Sequence, residues 1–263
     1  FRKLATAVIF ATGIFFPAPI HGADFELVGR ELARMLQNGH YARLAFNEDL
    51  SRRFLERYLD SLDGNKIYFL EREVTEMKRR YERVLHDRIS TKSIMPVANN
   101  IHEIYRGRVM ARVAYVKDLL ASKEFTFEEK RVVIDDRSEV AWPVDDLELR
   151  KIWSDNLENL LLSETVRRAR LKARAIEGGK PDPFRRKPSI KKTVDLKFDR
   201  LLKSIEEIEQ EDIANYFFSA VTKAYDPHSE YFSSNEMAQF KIDVSNELVG
   251  IGARLHSNDT REF

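Results

Sequence analysis

The chain of 263 residues has no cysteine, little glycine and proline, and almost no net charge. The absence of cysteine excludes disulfides, thiolate catalysis and cysteine-based metal sites. With only 10 glycines and 8 prolines, the composition favours helices over a turn-rich β architecture. Because 44 basic side chains nearly balance 43 acidic ones, the chain as a whole has no net attraction to nucleic acid or to an anionic membrane.

Metal-binding histidine patterns and long apolar runs are also missing. The six histidines never occur in H-x-x-x-H or H-E-x-x-H spacing, so the sequence predicts no metal site and no cofactor. After the first two dozen residues, no stretch reaches the roughly 20 apolar residues that a membrane-spanning helix needs. No stable membrane span is therefore expected once the N-terminal segment has been removed.

Residues 1–23 differ in composition from the rest of the chain. Two basic residues precede an apolar run over 4–16, prolines interrupt the next few positions, and small residues come at Gly22 and Ala23. This order is typical of a secretory signal peptide, so we predict export, with cleavage after Gly22 or Ala23. The alternatives are a buried N-terminal helix and an uncleaved membrane anchor. Because the sequence begins with Phe1, we expect it to be a fragment of a longer reading frame.

Apolar residues recur at helical spacing through most of the remaining chain. Each such stripe predicts the core-facing surface of a helix, and together they predict a mainly α fold over residues 24–243. Asp24, Asn47 and Pro96 stand where a helix cap or a first helical residue is expected. The stripes lie over residues 27–36, 50–62, 74–85, 97–120, 149–161, 194–208 and 213–221.

Three segments break this helical pattern. Residues 178–188 combine glycine, proline and four basic side chains, which predicts an exposed loop. Residues 226–234 end one helix and precede another. Residues 248–255 are short, apolar and spaced by glycine, which is typical of the start of a strand.

Asp226, His228 and Ser229 are the three residue types of a hydrolase triad within four positions. Side chains so close in sequence diverge, whereas a catalytic triad is assembled from separate parts of a fold. We therefore predict a structural role, in which Asp226 hydrogen-bonds a turn and Ser233 or Ser234 begins the next helix.

Ser189 and Lys192 match the S-x-x-K spacing that sets a lysine beside a serine nucleophile on one helical turn. Two fixed residues recur by chance in a lysine-rich chain, and the companion motifs S-D-N and K-T-G are absent. A lysine base must also be desolvated to lower its pKa, whereas this one follows a basic loop. Ser189 is therefore predicted to begin a helix.

Five basic residues cluster over residues 167–174 without interleaved aromatic residues. The pattern favours the solvated face of a helix, with a protein-docking patch as the alternative. No nucleic-acid partner is predicted.

Three segments agree in order and spacing with a known family. The first begins with Gly-His-Tyr at 39–41 and extends to Tyr-Phe-Leu at 68–70, and the second pairs Asp-Arg at 136–137 with Trp-Pro at 142–143. The third and most specific is Tyr-Asp-Pro-His-Ser-x-Tyr-Phe-Ser over 225–233, followed by Gly-Ile-Gly-Ala. Together they resemble the tail-specific proteases of the C-terminal processing peptidase family, peptidase family S41 of the Prc type, over nearly everything after residue 23.

The resemblance implies that residues 24–243 form the helical N-terminal domain of a periplasmic tail-specific protease, and that residues 244–263 hold the first strand of a truncated PDZ domain. Members of the family recognise the C-terminal tail of a protein on the PDZ domain and cut it with a serine activated by a lysine. Because that pair belongs to a domain beyond the PDZ domain, no residue of this chain is predicted to be catalytic. The implied partners are protein substrates with exposed apolar C-termini and a periplasmic adaptor protein.

Gly250, Ile251, Gly252 and Ala253 lie at a position similar to the PDZ loop whose backbone N–H groups bind the peptide carboxylate. Glycine suits that loop because N–H groups can converge on an anion without crowding by Cβ atoms. The alternative is that these glycines only open a strand at the domain junction. The resemblance further implies that residues 226–229 form a rigid joint between the two domains. A truncated, non-catalytic periplasmic binding module is the alternative for the whole chain.

Overall fold

A computed structural model describes residues 24–91, 93–127, 132–233, 236–237 and 240–242. This part of the chain is mainly α, as the apolar stripes predict, and it contains eight α-helices and no strand. The helices are α1 Phe25–Gly39, α2 Glu48–Asp63, α3 Glu71–Tyr81, α4 Leu85–Ser90, α5 Met95–Ser122, α6 Asp146–Glu177, α7 Ile190–Glu206 and α8 Gln210–Tyr225. The strand predicted over 248–255 lies outside the described residues.

The helices begin where local sequence signals predict. The side chains of Asp24, Asn47 and Ser189 each accept a hydrogen bond from the backbone N–H three residues later, at 3.0, 3.0 and 3.2 Å. These bonds satisfy N–H groups that have no partner inside the helix. Pro96 stands in the first turn of α5. The stripe over 74–85 is the exception, because a turn divides it into α3 and α4.

The helices enclose two large apolar clusters that share α5. The first cluster lies between α1, α2, α3, α4, α8 and the start of α5, and the second between the rest of α5, α6 and α7. Gly29 allows α1 to approach α8 closely, since a Cβ atom there would lie 3.0 Å from the Phe218 ring. None of the helices in the described ranges is long and apolar enough to cross a bilayer.

The loop between α2 and α3 links the two clusters. Asp63, the last residue of α2, is 2% exposed, and its carboxylate accepts hydrogen bonds from the N–H groups of Ile67, Tyr68 and Phe69 at 2.8, 2.8 and 2.9 Å. The loop therefore turns around one buried carboxylate. The side chains of Phe69 and Tyr68 then enter the first and second clusters, and Leu70 enters a third, small cluster on α6.

The loop is also bonded to the long helices beside it. The Trp153 indole N–H on α6 donates to the Ile67 carbonyl at 2.6 Å, and Arg112 on α5 donates to the Tyr68 hydroxyl at 2.9 Å.

Burial raises the pKa of the Asp63 carboxyl to about 6, although the three N–H donors and Arg112 oppose that rise. Because this pKa lies above its ordinary value of 3.8, the protonated form favours the folded state, and that contribution is lost as the pH rises from about 4 through 6.

Three further carboxylates connect helices to one another. Glu26 on α1 accepts the N–H groups of Ile94 and Met95, both at 2.9 Å, where α5 begins and where a negative charge is favoured. Farther along α5, Arg108 joins Glu73 on α3 to Asp146 at the start of α6. Charged groups therefore fix the ends of several helices, while apolar residues fill the space between them.

We expect Asp63→Asn to lower the free energy of unfolding by about 2 kcal/mol at pH 7. The asparagine amide offers only one acceptor oxygen, so at least one buried N–H group of the loop loses its partner. Urea unfolding followed by circular dichroism measures the effect. Asp60→Asn is the matched control, because Asp60 is exposed on the same helix one turn earlier. Equal losses in both variants would contradict the role of Asp63.

His102 on α5 is a buried base without a hydrogen-bond partner. Its side chain is 2% exposed, and neither ring nitrogen is bonded to any residue that the structure describes. Burial lowers the pKa of His102, and Arg106 acts in the same direction, whereas Glu103 and Asp212 oppose them. With its pKa lowered in the folded state, His102 takes up its proton more readily in the unfolded chain. The folded state is therefore destabilised as the pH falls below 6.5.

His102→Leu should remove this dependence on pH. Relative to the parent chain, the variant should gain up to about 1 kcal/mol of stability for each pH unit below 6.5. Urea unfolding of both proteins between pH 8 and pH 5 tests this, and the opposite contribution of Asp63 cancels in the comparison. Parallel stability curves would show that His102 does not titrate on unfolding.

Candidate functional site

The segment that leaves α8 is held against the end of α1. The helix ends at Tyr225, and Asp226 takes extended angles (φ −150°, ψ 128°), as the residue before a proline must. The Tyr225 side chain is 2% exposed, and its hydroxyl donates to the carbonyl of Leu36 at 2.9 Å. The ring also makes an edge contact with His40, with centroids 5.0 Å apart.

Four side chains form a hydrogen-bonded group here, which we call the exit cluster: His40, Tyr41, Asp226 and Ser229. The two oxygens of Asp226 accept from the hydroxyls of Tyr41 and Ser229, both at 3.1 Å. His40 Nε2 lies 3.0 Å from the Ser229 hydroxyl oxygen and 3.7 Å from the Asp226 carboxylate. The cluster joins residues 185 or more positions apart in the chain, so it fixes the connection after α1 to the exit of α8.

Asp226 is the negative centre of the exit cluster. Burial alone would raise the pKa of its carboxyl, but the hydroxyl donors of Ser229 and Tyr41 and the nearby His228 and His40 outweigh it and hold that pKa below its usual range. The same hydrogen bond raises the pKa of the Tyr41 hydroxyl. The carboxylate is therefore ionised at neutral pH and acts as an acceptor for its neighbours.

The exit cluster contains a serine, a histidine and an aspartate, but its hydrogen bonds run in the wrong direction for catalysis. The Ala42 N–H donates to His40 Nδ1 at 3.1 Å, which places the proton of the neutral ring on Nε2. That nitrogen donates to Ser229, and Ser229 in turn donates to Asp226. In a catalytic triad the serine donates to an unprotonated histidine nitrogen. Here the ring cannot accept the serine proton, so the cluster is a structural bond between chain segments.

The predictions for residues 226–234 are confirmed in the described part of this segment. The carbonyl of Asp226 accepts the Ser229 N–H at 3.0 Å and closes the predicted turn. Ser233 begins helical structure, with its carbonyl accepting the Met237 N–H and its side chain capping Glu236. The prediction that these side chains would diverge is wrong for Asp226 and Ser229, which converge across the turn.

Sequence reasoning missed the part that His40 plays. The histidine bonded to Ser229 is His40, from the connection after α1, whereas His228 is exposed. Residues 39–41 and 225–233 both carry the family resemblance, and that shared feature is the signal that could have paired them.

Ser189 and Lys192 do not form a nucleophile and its base. The Ser189 hydroxyl caps α7 by accepting the Lys192 backbone N–H, and the Lys192 ammonium pairs with Asp195 at 2.7 Å. The prediction of a helix start is confirmed.

Part of the basic cluster at 167–174 is bound within the chain. Arg167 and Arg168 both pair with Glu164, at 2.7 and 2.8 Å, and both lie against the ring of Phe184 in the loop 178–188. That loop is otherwise largely exposed, as predicted. The two arginines therefore hold the loop against α6 through their contact with Phe184.

The predicted carboxylate-binding residues Gly250, Ile251, Gly252 and Ala253 lie outside the described residues, and their role stays a prediction. Among the residues that are described, no group of three or more histidine, aspartate or glutamate side chains could hold a metal ion.

We expect Asp226→Ala to release the connection after α1. Without the carboxylate, Ser229 and Tyr41 lose their acceptor, and amide exchange at Ala42 and Ser229 should become about tenfold faster, as expected for the loss of one charge-assisted hydrogen bond. Hydrogen exchange followed by NMR measures this. Glu230→Ala is the control, because Glu230 is exposed in the same segment and only approaches Lys223 at 3.5 Å. Unchanged exchange at both amides would contradict the role of the cluster.

Comparison with known proteins identifies the helical region. Residues 32–235 match the family model for the tail specific protease N-terminal domain, a range that includes the whole exit cluster. The chain is also 22% identical over 241 residues to a tail-specific protease of Haemophilus influenzae, which covers 92% of this chain and 32% of that protein. The chain thus spans about a third of the length of that curated relative. The resemblance inferred from sequence is confirmed: this chain belongs to the tail-specific protease N-terminal domain family.

Proposed function

We propose that this chain is the N-terminal region of a periplasmic tail-specific serine endopeptidase that degrades or trims proteins from their C-terminal ends. The observation that carries the proposal is the family match over 32–235, together with a protease relative about three times as long as this chain. In this proposal residues 1–23 are a signal peptide and residues 244–263 begin a PDZ domain.

The helical domain supports the domains that come after it. Tyr225 and the exit cluster hold the chain where it leaves α8, and Tyr231 packs its ring on Phe218 with centroids 5.2 Å apart. Ser233, which is 5% exposed, then starts the next helical residues. A chain fixed at three successive points gives the next domain a defined starting position and direction.

The cutting chemistry belongs to a serine and lysine pair located beyond this chain. The described residues support that assignment, since Ser189 caps a helix and Ser229 faces a protonated ring nitrogen. Substrate tails with apolar C-termini would be bound through their carboxylate by the N–H groups of residues 250–253. An adaptor protein that delivers substrates would bind the helical domain.

Cleavage of matched peptides tests the proposal. One peptide ends in an apolar residue with a free carboxylate, and the other is the same peptide with an amidated C-terminus. The protein from the full reading frame should cleave the free acid at least about tenfold faster, because a carboxylate makes stronger hydrogen bonds than an amide. The purified 263-residue chain should cleave neither peptide.

Any result that differs from these expectations contradicts part of the proposal. Cleavage by the 263-residue chain would overturn the assignment of the catalytic pair to a later domain. Equal cleavage of acid and amide by the longer protein would overturn recognition of the C-terminal carboxylate. Binding of the free acid by the longer protein without any cleavage would favour a non-catalytic binding module instead.

A further inference from the structure

The C-terminal part of α6 is a largely exposed projection that contacts α7 near its start, where Arg168 donates to the Thr193 hydroxyl at 2.6 Å. The last buried residue of α6 is Glu164, and the helix continues to Glu177. These 13 further residues extend about 20 Å, at 1.5 Å per residue. The loop 178–188 folds back on this projection through Phe184 and through an ion pair between Lys172 and Asp182 at 3.0 Å. We call residues 165–188 the basic arm.

The basic arm concentrates positive charge in a nearly neutral chain. It contains nine basic and two acidic residues, a net charge of +7, whereas the chain as a whole has a net charge of +1. Three of its cations pair with Glu164 or Asp182. The other six are exposed and have no acidic partner among the residues that the structure describes: Arg170, Arg174, Lys180, Arg185, Arg186 and Lys187.

One face of the arm helix is apolar and is exposed in the part of the chain that the structure describes. Leu162, Val166, Ala169, Ala173 and Ile176 follow the spacing i, i+4, i+7, i+11 and i+14, which places them in one row along α6. All five are exposed, and Ile176 is 63% exposed. We call this row the apolar stripe.

The same face of α6 is covered in the earlier half of the helix. There the connection between α5 and α6 lies along it, with Lys123 paired to Glu158 at 2.5 Å and Asn159 donating to Asp135 at 3.1 Å. Leu162 lines a cavity beneath this connection. Leu162 is the last residue of the apolar stripe that lines this cavity, and the stripe residues after it are exposed in the part of the chain that the structure describes.

The cations flank the apolar stripe. Successive residues of a helix are rotated by 100°. Arg170 and Arg174 come directly after stripe residues and therefore lie along one edge of the stripe. Lys172 comes directly before a stripe residue and lies along the other edge. Long basic side chains can lay their methylene groups along an apolar surface while the charged ends reach anions beside it. The arm therefore has the pattern of a helix that lies in a lipid–water interface, apolar on one face and basic at its edges.

We propose that the basic arm binds an anionic phospholipid surface, with the apolar stripe facing the acyl boundary and the six free cations on lipid phosphates. A second copy of the chain is not expected to cover the apolar stripe, because two arms with a net charge of +7 each repel one another. A nucleic acid would satisfy the cations but would leave the apolar stripe exposed. A phospholipid surface satisfies both features.

Sedimentation with vesicles tests this proposal. The purified 263-residue chain should bind vesicles of phosphatidylcholine mixed with phosphatidylglycerol, should not bind phosphatidylcholine alone, and should bind the anionic vesicles less tightly as the salt concentration rises. Arg170→Gln combined with Arg174→Gln should lower the partition constant about 25-fold, at about 5-fold for each cation near an anionic surface. Val166→Ser combined with Ile176→Ser should weaken the binding that remains at high salt.

The matched control changes the same charge elsewhere. Arg30 and Arg57 are exposed on α1 and α2 and form no ion pair with a described residue, so Arg30→Gln combined with Arg57→Gln should bind almost as the parent does. Circular dichroism checks that each variant is folded. Failure of the parent to bind the anionic vesicles, or equal losses in the arm and control variants, would overturn the proposal. Binding to an acidic polypeptide but not to the vesicles would overturn it too, and would assign the arm to a protein partner.

Discussion

The buried carboxylate of Asp63 is the interaction on which the fold most depends. Three consecutive N–H groups bond to it, and the side chains of Tyr68, Phe69 and Leu70 then enter three different apolar clusters. Without a central acceptor, these buried N–H groups would have no partner, and leaving such groups unbonded is costly. One ion therefore sets the path of a loop, and the loop sets how the helices on either side of it meet.

Asp226 uses the same principle at the other end of the chain. Its carboxylate accepts hydrogen bonds from Ser229 in its own turn and from Tyr41, 185 positions away, and its pKa is lowered, whereas the pKa of the more enclosed Asp63 is raised. The direction of the hydrogen bonds decides what such a group can do. Because the Ala42 N–H donates to His40 Nδ1, the ring nitrogen that faces Ser229 carries the proton. The serine, histidine and aspartate therefore connect two chain segments instead of forming a catalytic triad.

The helices could be predicted from the sequence because their signals are local. A cap such as Asn47 and a row of apolar residues report on the backbone within one or two turns, and they place most helix ends correctly. The loop around Asp63 and the pairing of His40 with Ser229 could not be predicted in this way. The first depends on burial, which only the packed helices create, and the second on contact across 189 positions. The assignment of catalysis to a later domain and the carboxylate-binding role of residues 250–253 depend on the family resemblance rather than on the described geometry.

The net charge of the chain does not predict how charge is distributed over its surface. A net charge of +1 excludes a strong attraction of the whole chain to anions, yet fields near a surface depend on charges within a Debye length of about 8 Å. The fold places seven net positive charges on a helix and loop that project from its packed core, and so separates them from the acidic residues that balance the total. A projecting helix without an apolar contact is only marginally stable by itself. In the described part of the chain, the apolar row of the arm is exposed and six of its cations have no acidic partner, so the arm gains stability when an apolar and anionic surface covers it.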